Sequence, residues 1–286
     1  MVAVRWVRCG VVLIGLVALV TAIGQTTVRA QGADDFAVLR AEVSQLHGQG
    51  KYAEAIPIAE RYVAMARQKL GEDHTEFDTA IGWLASLYRR QGRYAEAESL
   101  YKRALTIAEK ALGPDHPSVG TRLTILALLY SIQGRYAEAE PLYNRALTIA
   151  EKALGPDHPS VGNLLNNLAG LYRDQGRYAE AERLRKRALT IIEKVHGPDH
   201  PSVGTPLNNL AGLYHDQGRY AEAEPLRKRA LTIAEKAHGP DHLDVGSALN
   251  QLAWLYHDQG RHAEAELLYR RALTIAEIFL LVGGTR

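Results

Sequence analysis

Along residues 160–196, "SVGNLLNNLAGLYRDQGRYAEAERLRKRALTIIEKVH", apolar positions fall in two runs at helical spacing. Val161, Leu164, Leu165, Leu168, Leu171 and Tyr172 recur every three or four positions and mark one face of a first helix. "DQGRY" breaks the run at Gly176, after which Tyr178, Ala181, Leu184, Ala188, Leu189 and Ile192 mark a second, longer helix. Gly197, Pro198 and Pro201 then stop it. Ala169 and Ala181, repeated as Ala127 and Ala139 and as Ala211 and Ala223, are small enough to let two helix backbones approach. The pattern predicts a helical hairpin.

The hairpin repeats. Gly50, Gly92, Gly134, Gly176, Gly218 and Gly260 keep a period of 42 residues, and so do His74, His116, His158, His200 and His242. A fixed period without insertions predicts a stacked array rather than one central core. The expected fold class is all-α: a right-handed superhelical solenoid of six hairpins over 34–282, with second helices starting near 52, 94, 136, 178, 220 and 262. Pro206 stands where other copies have Ala80, Arg122, Leu164 and Ala248, so the first helix of that hairpin is expected to begin near Val203–Thr205 or to bend there.

Leu165, Leu168, Ala169, Tyr172, Gly176, Tyr178, Ala181, Ala188 and Leu189 fall on the tetratricopeptide-repeat pattern. With "LNNLA", "GRYAEAEPLY" and "LGPDHP" on a 42-residue beat, the chain resembles the repeats of kinesin light chains and their bacterial look-alikes over about 50–277, with a weaker half-unit from about 34. No heptad coiled coil precedes the repeats, and no motor-linked role is inferred. The resemblance implies a protein-binding scaffold without catalytic activity of its own, whose first helices line a concave groove. The inward residues are then Trp83 and Ile125 at an apolar end, followed by Asn163, Asn166, Asn167, Asn208, Asn209, Asn250, Gln251 and Trp254. Carboxamides both donate and accept, so such a row suits the backbone of an extended peptide or partner protein. The alternative is a repeat-only adaptor or sensor module of a larger regulatory system. A hydrolase is a remote third reading.

Asp beside His in "GPDHPSVG" invites a metal or catalytic reading. Five equivalent histidines, spread along an array, cannot share one ion, and within a loop the Asp-His pair has no evident third ligand. The loop reads better as a joint. Gly155 and Pro156 stop one helix, Asp157 or Ser160 caps the next, and Pro159 opens it. No metal, cofactor or catalytic residue is expected. Tyr94, Tyr136, Tyr178 and Tyr220 read as packing residues. The basic runs "RLRKRAL" (183–189) and "LRKRAL" (226–231) read as solvated outer faces. Pro57, Pro141 and Pro225 read as prolines early in the second helices, where a missing N–H costs least.

Charge and the chain's ends complete the reading. Of 34 basic and 32 acidic residues, only Arg5, Arg8 and Arg29 fall within 1–30, so the remainder carries a net −1, which argues against nucleic acid as partner. Arg5 and Arg8 precede the apolar run "VVLIGLVALVTAI" (11–23), and "VRA" (28–30) supplies small residues for cleavage. Residues 1–30 are expected to be an export signal followed by a linker at 31–33, giving a periplasmic or secreted protein; the alternative is an inner-membrane anchor through residues 9–24. Cys9 is the single cysteine and lies in this segment. At the other end Ile278–Val282 is an apolar run before a tail at 283–286, and self-association through it is expected.

Overall fold

The computed structural model describes residues 35–283. The expected export signal and its cleavage box, within residues 1–30, lie outside the described residues. Within them the chain is all-helical: α1 (35–48), α2 (Tyr52–Leu70), α3 (Thr75–Arg90), α4 (Tyr94–Leu112), α5 (Pro117–Ile132), α6 (Tyr136–Leu154), α7 (Pro159–Asp174), α8 (Tyr178–His196), α9 (Gly204–Asp216), α10 (Tyr220–His238), α11 (Leu243–Asp258) and α12 (His262–Gly283). Two compact units are formed, one ending at Ala111 and one starting at Leu112. In the first, α1 with α2 and α3 with α4 follow the hairpin pattern. In the second, α5/α6, α7/α8, α9/α10 and α11/α12 pack as successive hairpins, each second helix also meeting the first helix of the next hairpin. No helix among the described residues is long and apolar enough to cross a membrane.

Each hairpin turn is closed by backbone chemistry. After α7, Arg177 N–H reaches Tyr172 O at 2.8 Å and Gly176 N–H reaches Arg173 O at 2.9 Å. This pair of bonds needs a left-handed residue between them, and Gly176 supplies it at φ +73°. Inside the hairpin the alanines do what their size allows: Ala127, Ala139, Ala169, Ala181, Ala211 and Ala223 are fully buried. Gly162 brings α7 within 3.6 Å of the Ala188 carbonyl and of Ile192, measured from where a Cβ would stand.

Successive hairpins are joined by a polar clasp at partners 32 and 37 residues apart. Tyr172 Oη donates to Glu140 at 3.0 Å, Arg177 donates to the same carboxylate at 2.7 Å, and the Arg177 guanidinium lies 3.9 Å from the Tyr172 ring centroid. Glu182 with Tyr214 and Arg219, and Glu224 with Tyr256 and Arg261, repeat it. The tyrosines of these clasps, Tyr172, Tyr214 and Tyr256, are buried at the ends of first helices. Of the tyrosines that open second helices, Tyr178 is exposed, whereas Tyr220 packs against a core cluster.

Three local expectations are corrected. The residue that caps the start of α3, α5, α7 and α11 is the histidine, not Asp157 or Ser160: His158 Nδ1 accepts from Ser160 N–H at 3.2 Å, His74, His116 and His242 do the same two residues ahead, and His200 does so for the short turn that precedes α9. Nδ1 stands as many bonds from Cα as the Oδ1 of asparagine, so it reaches the same N–H. The aspartates serve elsewhere, Asp115 pairing with Lys152 at 2.7 Å and Asp157 with Lys194. Second, Pro57, Pro141 and Pro225 lie at the sixth residue of their helices, past the first turn. Each frees the carbonyl four residues back, on Ala53, Ala137 and Ala221, which are exposed so that water can take its place. Third, each basic run has one buried arginine, Arg185 at 5% and Arg227 at 3% exposure. They fill a seat that Tyr101 and Tyr143 fill in earlier hairpins, with Arg185 donating to Asn209 O and Arg227 to Gln251 Oε1.

Pro206 acts as expected of its position. The loop passes through a short 3-10 turn at Pro201–Val203, and α9 proper begins at Gly204, leaving Pro206 in its first turn.

Candidate binding groove

Two clefts open along the first helices of the second unit. One, of about 410 Å³, lies between α5 and α7 over α6. The other, of about 290 Å³, lies between α9 and α11 over α10. They are the same site two repeats apart. Every lining residue of the second, from Pro201 and Gly204 to Asn208, Ala230, Ile233 and Gln251, stands 84 positions after a lining residue of the first.

The floors match: Ala146, Ile149 and Ala150 of α6 against Ala230, Ile233 and Ala234 of α10. The walls do not. Leu154, Ser160, Leu164 and Asn167 of the first become His238, Asp244, Ala248 and Gln251 in the second, and Thr124 becomes Asn208. The first cleft is therefore mainly apolar and the second mainly polar.

Of the residues anticipated for binding, Ile125, Asn163 and Asn167 meet in the first cleft, and Asn208 and Gln251 in the second. The others lie outside both. Asn166 is half-buried with an unpartnered, buried Oδ1, as is Asn208. Asn209 is half-buried, and its carbonyl is taken by Arg185. Asn250 is exposed. In the first unit Trp83 is packed against the core with its indole 5.7 Å edge-on to His47. Trp254, half exposed, lies 4.6 Å from the ring of His215.

The electrostatics of the polar cleft come from behind it. Arg227 Nη1 donates to Gln251 Oε1 at 2.7 Å, which leaves the Gln251 amide its two N–H donors. Burial holds the Arg227 guanidinium below its ordinary pKa and pushes that of Arg185 down to about 10. His215, buried, is bonded through Nε2 to Asp258 at 2.9 Å and ties α9 to α11. Sequence reading missed Arg185, Arg227 and His215 because each is a polar residue on a buried face; the signal was a change of residue type at one fixed position of the repeat.

The tetratricopeptide-repeat family model matches residues 76–152, 121–184, 160–224 and 202–278, and a second model of the same description matches 46–76. No match was found among the curated proteins. Among solved structures, BtubC (BKLC) from P. vanneervenii is 27% identical, covering 80% of this chain and 92% of its own, with a TM-score of 0.68. A chain from Podosopora anserina, described as a kinesin light chain with nearly identical TPR-like repeats, is also 27% identical, covering 71% and 96%, with a TM-score of 0.62. Aspartyl phosphate phosphatase F from Bacillus subtilis shares the fold at 14% identity, covering 89% and 73%, with a TM-score of 0.64. The repeats, their hairpin packing and these matches assign the chain to the tetratricopeptide-repeat family, in its kinesin-light-chain-like form, a fold that binds protein partners.

Proposed function

We propose that this chain is an exported, non-catalytic scaffold whose clefts hold an extended segment of a partner protein. The observation that carries the reading is the recurrence of one cleft along α5–α7 and α9–α11 with a lining that changes from apolar to polar. A segment suited to both carries an apolar side chain for the wall of Ile125, Leu154 and Leu164, and backbone or side-chain acceptors for the second cleft. There Gln251 offers its two amide donors, while Arg227 already draws on its oxygen. Asn163 and Asn167, both exposed, offer donors and acceptors to a peptide backbone in the first. Export rests on the Arg-flanked apolar run at 11–23. Self-association is supported by the exposed apolar side chains of α12, namely Leu267, Leu273, Ile278, Phe279 and Leu280.

A photo-crosslinking residue at Asn167 or at Ser247, in the native host, is expected to trap the same partner, and the same probe at Thr190, on an exposed second-helix position, is expected to trap nothing. Trapping at Thr190 without trapping at Asn167 or Ser247 overturns the groove reading. Intact mass of the cell-envelope protein is expected to lack Met1–Ala30; a mass retaining them means an anchor instead.

A further inference from the structure

The loop between α10 and α11 differs from the copy two repeats back at three positions, two of which bring side chains able to bind a metal. Where the copies two repeats back have Leu154 and Ser160, it has His238 and Asp244, and it keeps the cap histidine, His242. One repeat back, His196 and His200 are present, but Ser202 stands in place of the carboxylate. Sequence reading found no third ligand in these loops; in this one loop the fold supplies it, from the last residue of α10 and the first turn of α11.

The three side chains converge. The imidazoles of His238 and His242 stack with centroids 4.5 Å apart and planes 21° apart. His238 Nε2 and His242 Nδ1 each lie 3.5 Å from the same oxygen, Asp244 Oδ2. All three ligand atoms fall within 4.8 Å of one another. In a tetrahedral zinc site with bonds of about 2.0–2.1 Å, neighbouring ligand atoms stand roughly 3.4 Å apart. Both separations to the carboxylate oxygen therefore already have the length of a tetrahedral edge.

We propose that His238, His242 and Asp244 form a binding site for a borderline divalent transition-metal ion, of the zinc class. Two imidazoles and one carboxylate suit such an ion better than calcium or magnesium, which take oxygen ligands. The three residues leave a fourth position for water. His238 and Asp244 also line the polar cleft, so an ion here adjoins the α9–α11 groove and can take a ligand atom from its occupant. Binding has a structural cost. His242 Nδ1 has one lone pair, now taken by the Asp244 N–H at 3.2 Å, and the ion displaces that cap bond. The site is thus expected to bind more weakly than a closed structural zinc site.

The test is zinc titration of the tag-free full chain by calorimetry, with His238→Leu and Asp244→Ser as variants. Both place residues that the repeats already carry at the equivalent positions, and far-UV circular dichroism without zinc checks that each remains folded. One saturable equivalent is expected in the parent, with affinity at least about tenfold weaker in each variant. His196→Leu is expected to leave binding unchanged. Absence of saturable uptake by the parent overturns the proposal, as does undiminished binding in folded His238→Leu and Asp244→Ser, or loss confined to His196→Leu.

Discussion

The α5–α7 and α9–α11 clefts are one framework with two chemistries. Their floors are the same alanines and isoleucine, and the first helices end on the same Tyr-Glu-Arg clasp in α7 and α11. The walls have diverged, and the divergence reaches behind them. Asn167 is exposed with Tyr143 in the seat behind it, whereas Gln251 is held by the buried Arg227 in the equivalent seat. Changing what a groove offers to a ligand has here been accompanied by a change in what supports it. The repeat thus separates two kinds of position, those that set the hairpin and those that set the wall, and they can be broken separately.

The largest effect is expected where the two regions are alike. Leu123 and Leu207 are equivalent and fully buried. Leu123→Ala and Leu207→Ala should each cost about 2–5 kcal/mol in urea denaturation, by lost transfer energy and the cavity left behind. Losses differing by more than the usual scatter would mean that the two frameworks are not equivalent.

A sharper contrast is expected at the walls. Gln251→Leu leaves the Arg227 Nη1 buried without its acceptor and should cost about 1–3 kcal/mol. Asn167→Leu, at the equivalent exposed position, should stay within about 0.5 kcal/mol. Equal losses would show that Arg227 does not depend on Gln251.

The clasp predicts a pH dependence. Hydrogen bonding from Arg219, ahead of Lys186 and Tyr214, holds the Glu182 carboxyl down to about 2. Its folded pKa is depressed, so its stabilisation is present above the unfolded value near 4.5 and is lost as pH falls from there toward about 2. Glu182→Gln should therefore lower stability at pH 7 by about 1–2 kcal/mol, allowing for solvent screening of a partly exposed group. The gap should close as the two proteins are melted at successively lower pH. A gap constant from pH 7 to pH 3 would remove the charge from the explanation.

Which parts of this were legible in the sequence follows from physical range. Periodicity reports positions on one helix, so the hairpins and the array were readable from the spacing of Leu165, Leu168 and Tyr172 and from the 42-residue beat. Partners on different helices leave no such mark. The Glu140–Tyr172–Arg177 clasp joins residues 32 and 37 apart, and a binary apolar-polar reading turned Arg185 and Arg227 outward although their stems fill a tyrosine's seat. The amide row was visible as composition. Its division, with Asn163 and Asn167 in one cleft, Asn208 and Gln251 in another and Asn250 exposed, depends on how successive first helices face each other.

The smallest expected effect concerns the joint that both clefts share. His158 caps α7 through Nδ1, accepting the Ser160 N–H at 3.2 Å. If that acceptor is what the helix needs, His158→Asn should be nearly neutral, because Oδ1 occupies the same place along the side chain. His158→Ala should lose about 1 kcal/mol, the usual cost of deleting a cap. Both are read as shifts of the urea midpoint at unchanged slope. Equal losses for Asn and Ala would show that the ring itself is required, through packing in the loop, and that the cap bond is incidental. The double comparison with His242→Asn separates the last loop from the rest. Asn there keeps the cap but removes an imidazole, so stability should hold while any zinc-induced rise in melting temperature disappears.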